Sequence, residues 1–516
     1  MEEFSLNRLI ASLPNSRAVL ICKSLRGEEI ISASDMWIDI SSVCARMQKL
    51  GLRHSDKAIL SAANSYDLIV CDLACLALGI STIPIPNGEH AEIRRIASLS
   101  EAKVILSDED IDHLHIPVLA MNHLVTRSVV PSPIALLGNY CGHDDVPVTY
   151  KSSSGTTSAQ PKYVACSASH IDNLINQIAE PFVFTEEDRL LFFLPISIFL
   201  QRCLLYLGLY SNAQIYLTSF ENSFHALRQF KPNVIFGAPS FYEALFRSKA
   251  ITSAIFQKLP PRVLWSGSAG VNPQVAKYFA DQGHPLYEGY GMTEIGLIAK
   301  ASPGHWRLGS VGKVLAGVDI KFDATQQILV KAAHGPEPKY LGGPDEATFP
   351  INEQGYIETG DLGFLDEDGF LFITGRVKNT IILNSGNKVM PEFVERRIMA
   401  NCTDIDNCVV IGDGKPFLAA IIDTSLLPAE SLLPLICSTN RGIPDYQRVQ
   451  RFVVIPGAFS ERSGCLTINK KLNRKRVLQA YADAICALYA KDFNTGLRNG
   501  VYFGAAINEI SITGGN

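Results

Sequence analysis

Tyr150–Tyr163 reads YKSSSGTTSAQPKY. Three serines, a glycine and two threonines run together, and Pro161 and Lys162 close the stretch. No hydrophobic period passes through it, which predicts a loop. Small hydroxyl residues and glycine let backbone N–H and side-chain O–H groups converge on an anion, and Lys162 adds a point charge. The stretch therefore suits a phosphate, although the Walker A pattern GxxxxGK[ST] is absent. Taken alone, the same residues equally fit a polar surface loop. The flanking sequence has to decide.

Upstream of about Pro147, strand-like runs (Arg17–Ile21, Lys57–Ser61, Ile80–Ile85, Lys103–Leu106) alternate with helix-like ones (Ala33–Leu50, Tyr66–Leu78). Such alternation favours a layered α/β fold. Downstream, Ser169–Ile178 and Pro195–Leu209 read as helices. Three apolar strands then end in small or glycine-rich turns. Asn233–Phe236 precedes Gly237-Ala238-Pro239, Arg262–Trp265 precedes Ser266-Gly267-Ser268-Ala269-Gly270, and Pro285–Tyr287 precedes EGYGMTE at Glu288–Glu294. Asn272-Pro273 offers an N-cap and an N1 proline for the helix between the last two. Ligands of open α/β sheets collect beyond the C-terminal strand ends. Three such ends behind a phosphate-like loop point to a ligand cleft. Past about Gly304 the texture shifts to short β elements at Gly309–Gly312, Lys321–Phe322 and Ile328–Lys331. The tail combines a hairpin signal at Asp413-Gly414 with helices at Glu392–Ala400 and Asn473–Leu488. It reads as an α+β domain that begins at Arg376–Asn379.

The 516 residues are 47 % apolar and 19 % charged, with a net charge of −5 and no long basic run, so nothing electrostatic suggests nucleic acid. The 12 cysteines form no CxxC pair and no Cys/His metal spacing, and read as reduced, buried thiols of a cytoplasmic protein. MEEFSLNRLI lacks the basic start of a signal peptide. Tyr66–Pro86 and Leu190–Tyr210 are apolar, but they carry Asp67, Asp72 and Pro84, and Pro195, Gln201 and Arg202. A membrane-spanning helix needs ~20 largely uncharged residues. Both stretches read as core rather than transmembrane segments, and peripheral contact with a membrane stays open.

In this order the motifs resemble the adenylate-forming (AMP-binding) superfamily of acyl- and aryl-CoA synthetases, firefly luciferases and peptide-synthetase adenylation domains. Ser153–Lys162 resembles its phosphate loop and Glu288–Glu294 its (Q/E)GYG(L/M)TE signature. Thr359-Gly360-Asp361 and Gly375-Arg376-Val377-Lys378 resemble its TGD and GRxK elements, and LTINKK at Leu466–Lys471 resembles the stretch holding its catalytic lysine. FFLPISIFLQRCLLYLGLYSNAQIYL, FKPNVIFGAPSFYEALF and GRVKNTIILNSGNKVMPEFVE are most similar to the fatty acyl-CoA synthetase branch.

The resemblance implies a large domain of layered α/β sheets over residues 1–377 and a small, mobile α+β domain over 378–516. It implies an acid–thiol ligase that uses ATP and Mg²⁺. A carboxylic acid, fatty or otherwise apolar, becomes an acyl-AMP with release of pyrophosphate, and a thiol, CoA, then takes the acyl group. Lys471, Thr293 and Glu294 would be catalytic, with Glu294 and Ser153 on the metal. ATP or AMP contacts would come from Ser153, Ser154, Gly155, Thr156, Thr157 and Lys162, from Ser268, Ala269 and Gly270, and from Glu288, Gly289, Tyr290, Gly291, Met292 and Thr293. Asp361 would take the ribose, Arg376 phosphate or ribose oxygens, and Lys378 would be the hinge. Lys470 rivals Lys471, and the basic run Lys470, Lys471, Arg474, Lys475 and Arg476 also fits a solvated face. Ile198, Phe199, Phe236, Gly237 and Ala238 are candidates for the acyl pocket and equally fit plain core.

The sequence departs from the family pattern in four places. Ser158 replaces a glycine and one residue is inserted before Pro161. Ile198 replaces a histidine, Ser240 an arginine, and Gly386-Asn387-Lys388 reverses the usual order near the thiol channel. The departures leave two alternatives: a ligase that loads the phosphopantetheine of an acyl carrier protein, and an impaired nucleotide- or acyl-binding protein. Ser240–Leu245 has Glu243 but lacks the aspartate that amino-acid-activating relatives carry, which disfavours an amino acid.

Overall fold

The computed structural model describes residues 3–505 apart from 25–26, 113, 127–145, 154–160, 259, 268–269, 333–339, 343–350, 403, 425–430, 456, 458, 461, 468–471 and 499–500. The upstream alternation feeds two sheets. A six-stranded sheet holds, in order, Val118–Leu119, Val104–Leu106, Lys57–Leu60, Ser81–Pro84, Thr149–Ser153 and Lys162–Cys166. A nine-stranded sheet holds Lys313–Val314, Gly296–Lys300, Leu286–Met292, Val263–Ser266, Val234–Gly237, Arg189–Phe192, Gln214–Leu217, Val19–Ser24 and Gly27–Ser32. From Leu286–Met292 to Val19–Ser24 its strands are parallel. Such strands are covered on both faces and read as unbroken apolar runs.

Between the sheets lie Ala33–Lys49, Tyr66–Leu78 and Phe199–Tyr210, in one core with residues of both sheets. Tyr66–Leu78 is buried at every position except Asp67, which explains its all-round apolar sequence. Among the described residues no helix is long and apolar enough to cross a membrane. The two buried charges inside the apolar stretches, Arg202 and Asp72, pair with each other. Arg202 donates to Asp72 through Nη2 at 2.5 Å and Nε at 3.0 Å, and to Thr82 and Thr149.

The opening stretch is not loop throughout. Thr149–Ser153 and Lys162–Cys166 pair antiparallel, with Ser153 opposite Lys162, while residues 154–160 lie outside the described set. Within the stretch Tyr150 and Tyr163 point into a core, and the serines between them hide the alternation. The β element expected at Gly309–Gly312 is not a strand: Gly309 lies in a turn, Gly309 and Gly312 sit at φ +80° and +89°, and only the Val311 N–H and the Gly312 carbonyl bond to Leu371.

A four-stranded antiparallel sheet follows, Val318–Phe322, Gln327–Ala332, Ile357–Leu365 and Leu371–Arg376. After the 3-10 turn Val377–Asn379 comes a five-stranded sheet in the order Asn407–Ile411, Leu418–Asp423, Val449–Ile455, Val501–Ala505, Gly496–Arg498. Pro391–Asn401 and Leu432–Thr439 cover one face, and Arg474–Ala480 and Ala482–Leu488 the other. The single helix expected over Asn473–Leu488 breaks at Tyr481 (φ −115°, ψ 26°), whose ring packs 5.7 Å from that of Phe459. This C-terminal part rests on the large sheet's helices through Arg247–Asp406 at 2.5 Å and through Asn272 Nδ2 donating to the Met399 carbonyl.

Candidate active site

Four parallel strands deliver their C-terminal ends to one cleft. Leu194 and Pro195 follow Arg189–Phe192, Ala238 to Ser240 follow Val234–Gly237, Gly267 and Gly270 follow Val263–Ser266, and Leu286–Met292 carries Glu288 to Gly291. All of them line a cavity of ≈ 1820 Å³ whose opposite wall includes Arg376, Lys378, Glu392, Arg396 and Lys475. The glycine-rich turn expected at EGYGMTE is a strand that continues into a hairpin with Gly296–Lys300, with a register shift between Tyr290 and Gly291. Two glycines make that possible. A Cβ on Gly291 would lie 2.1 Å from the Gly296 carbonyl oxygen, and one on Gly289 would lie 2.8 Å from Trp265 Cζ2.

Asp361 and Arg376 face each other across the Ile357–Leu365 and Leu371–Arg376 ladder. Arg376 Nε donates to Asp361 Oδ1 at 2.7 Å, and the Tyr290 hydroxyl donates to Oδ2 at 2.9 Å. All three line the cleft, so the TGD, GRxK and EGYGMTE motifs converge on one carboxylate. Burial, and then the Asp361 charge, push the Tyr290 phenol up. Burial also raises Glu288 to about 7, against the opposing pull of the Val271 N–H that it accepts and of Arg396. Lys378 is lowered to about 8 by partial desolvation and by Arg376 beside it.

Lys162 and Glu294 meet at a residue the sequence did not single out. The Tyr340 hydroxyl donates to Glu294 Oε1 at 3.4 Å, and Lys162 Nζ lies 4.9 Å from the centre of the same ring. Arg95 Nη2 holds the Pro161 carbonyl at 2.9 Å. Neither Tyr340 nor Arg95 sits in a motif, so nothing local marked them. Met292, Thr293 and Glu294 are half-buried and outside the set that lines the cleft, and Met292 packs on the core of the four-stranded sheet. Among the described residues no three His, Cys, Asp or Glu side chains cluster as a metal cage. Mg²⁺ needs none, because one or two carboxylates complete its shell together with phosphates and water. Glu294 has the donor chemistry for such a shell, and its Oε1 accepts from the Tyr340 hydroxyl outside the set that lines the cleft.

Ser154, Gly155, Thr156, Thr157, Ser268, Ala269, Lys470 and Lys471 lie outside the described residues, as does the Ser153 side chain. Thr467 and Leu472, on either side of 468–471, both line the cleft. The solvated basic face fails at Arg474, whose Nη2 lies 2.5 and 2.7 Å from the buried Glu395 carboxylate.

Of the acyl-pocket candidates, Ile198, Phe236, Gly237 and Ala238 line the cleft and Phe199 does not. Phe199 turns the other way, with Lys151 Nζ 5.0 Å from its ring centre. Its neighbours Leu200 and Gln201 line the cleft instead. Trp265 joins them and stacks on Phe236 at 5.6 Å.

Residues 8–335 match the family described as AMP-binding enzyme, and residues 378–493 match the AMP-binding enzyme C-terminal domain. The chain belongs to the AMP-binding enzyme family. As a member of that family it is an AMP-forming ligase that uses ATP and Mg²⁺, which agrees with the cluster on Asp361. Similar proteins include the long-chain-fatty-acid–CoA ligase FadD15 of Mycobacterium bovis, 26 % identical, which pairs 89 % of this chain with 93 % of that one. Another is the putative acyl–CoA ligase YdaB of Bacillus subtilis, 25 % identical over 76 % of this chain and 82 % of that one. Among solved structures, the anthranilate CoA ligase AuaEII in complex with anthranoyl-AMP superposes with a TM-score of 0.79, at 19 % identity, over 93 % of this chain and 98 % of that one. ATP-bound MatB from Rhodopseudomonas palustris gives 0.78 at 19 %, over 93 % and 100 %. These two share the fold with this AMP-binding enzyme.

Proposed function

We propose that this AMP-binding enzyme activates a largely apolar carboxylic acid, of the fatty class or one of similar polarity, and passes the acyl group to CoA. One observation carries the reading: a nucleotide-type cluster (Tyr290, Asp361, Arg376) and an apolar recess (Leu194, Ile198, Phe236, Ala238) open into the same cleft. The similarity to fatty-acid–CoA ligases adds to it.

In this reading the adenine lies against Tyr290, and the ribose hydroxyls donate to Asp361, as they do to carboxylates in other nucleotide folds. Arg376 holds Asp361 in place and offers its remaining N–H groups to the nucleotide. A carboxylate oxygen attacks the α-phosphorus, the bond to the bridging oxygen breaks, and pyrophosphate leaves. Two anions must approach, so cations have to be in place before reaction. Lys162 and Lys471 supply fixed charge, Thr293 a hydroxyl for the α-phosphate, and Glu294 a carboxylate for Mg²⁺. Mg²⁺ when bound neutralises phosphate charge as a Lewis acid. In the second half-reaction the CoA thiol, losing its proton, attacks the acyl carbonyl and AMP leaves. Domain 378–516 turns about Lys378 against domain 1–377 between the halves, and a few backbone torsions suffice for such a hinge.

The test is acid-dependent ATP–pyrophosphate exchange over a panel of fatty and aromatic acids, followed by CoA-dependent AMP release. No exchange with any acid would overturn the proposal.

A further inference from the structure

The apolar recess has polar atoms in its wall that the protein leaves unused. Gln201 is 2 % exposed, and neither its Nε2 nor its Oε1 has a hydrogen-bond partner. Trp265 is 1 % exposed, and its Nε1–H is likewise unpartnered. Ser240 Oγ makes a fourth such atom, and all three residues line the cleft. The indole nitrogen lies beside the helix that carries Gln201. A Cβ built on Gly267 would be 3.4 Å from Leu200 Cδ2 and 3.9 Å from Trp265 Nε1.

Buried polar groups in native proteins are nearly always hydrogen-bonded, and leaving one unpaired is costly. Gln201 and Trp265 each bring to the lining of the cleft a buried polar group without the partner that such groups require. An indole N–H only donates, and an amide donates and accepts. The shared requirement is an acceptor oxygen, with the amide oxygen ready for a hydroxyl proton. A saturated hydrocarbon chain offers neither and would bury these atoms unsatisfied. Ligand pockets gain orientation and selectivity from a few polar groups of this kind in apolar walls.

We propose that Gln201 and Trp265 form a polar subsite that selects an acid bearing a hydroxyl or oxo group on its acyl chain over the unsubstituted acid. This rests on the acid-activating reading above and refines its substrate class. The other occupant that could satisfy the same atoms is an ordered water.

The experiment compares decanoic acid with hydroxydecanoic and oxodecanoic acids substituted at successive positions. Each is assayed by ATP–pyrophosphate exchange and by calorimetric binding to the full-length protein. The expected result is a preference of about 10- to 100-fold in kcat/KM for one substituted position. Gln201→Leu should erase that preference by raising KM for the oxygenated acid, and Trp265→Phe should weaken it. Unfolding midpoints of both variants separate a folding defect from a lost contact. Equal values for all acids, or a preference that Gln201→Leu and Trp265→Phe leave intact, would overturn the inference and assign the atoms to water. If no acid supports exchange, the acid-activating reading falls, and the binding measurements still decide the subsite.

Discussion

Replacing Glu288 by Gln should flatten the pH dependence of folding stability. The carboxyl is buried between Val271, whose N–H it accepts at 3.0 Å, and the cleft. Burial raises it from the ordinary 4.5 to about 7. The native state therefore holds this proton more tightly than the unfolded chain does. The contribution is fully present below 4.5 and is lost as the pH rises through about 7. Between about pH 5 and about pH 8 the loss is roughly 2–3 kcal/mol, from ~1.4 kcal/mol per pKa unit. Gln keeps the shape, can still accept the Val271 N–H, and has no charge to bury. Urea unfolding of the ligand-free protein at several pH values should show Glu288→Gln gaining on the wild type as the pH rises, by that amount over the interval. Arg396→Ala should steepen the wild-type slope, because Arg396 pulls the Glu288 value down. Parallel curves for wild type and Glu288→Gln would refute the reasoning and show that the carboxylate is solvated in the native state.

Further predictions follow from single contacts. Arg202→Met should destabilise the protein by about 3–5 kcal/mol in urea, because it strands the fully buried Asp72, and Asp72→Leu with Arg202→Met should recover most of the loss. Gly291→Ala drives a Cβ into the Gly296 carbonyl. It should cost ~1–3 kcal/mol and abolish acid-dependent exchange, and an unchanged unfolding midpoint would count against the hairpin geometry. Lys471→Ala should slow adenylation by ~10²-fold or more while leaving thiolysis of supplied acyl-AMP in place. The same pattern from Lys470→Ala would shift the assignment by one residue.

The family, the order of its motifs and the main helices were legible from the chain alone, because each depends on local chemistry. Tyr66–Leu78 follows from an apolar run broken only by Asp67 and Asp72, and the helix Pro273–Asp281 from Asn272, whose side chain accepts the Gln274 N–H as an N-cap. Tyr290, Asp361 and Arg376 were recognisable singly, since their residue types suit a nucleotide. Their union on one carboxylate, and the meeting of Lys162 and Glu294 at Tyr340, needed sheets that join distant segments. The same holds for the acyl recess. Sequence order offered Phe199 and gave no reason to choose Gln201. The buried pair of Arg202 with Asp72 settles how the helix Phe199–Tyr210 is rotated, carrying Phe199 out of the cleft and Gln201 into it. A helix's composition states what it can bury. Which side it turns to a ligand depends on partners elsewhere in the chain, here an aspartate 130 residues away.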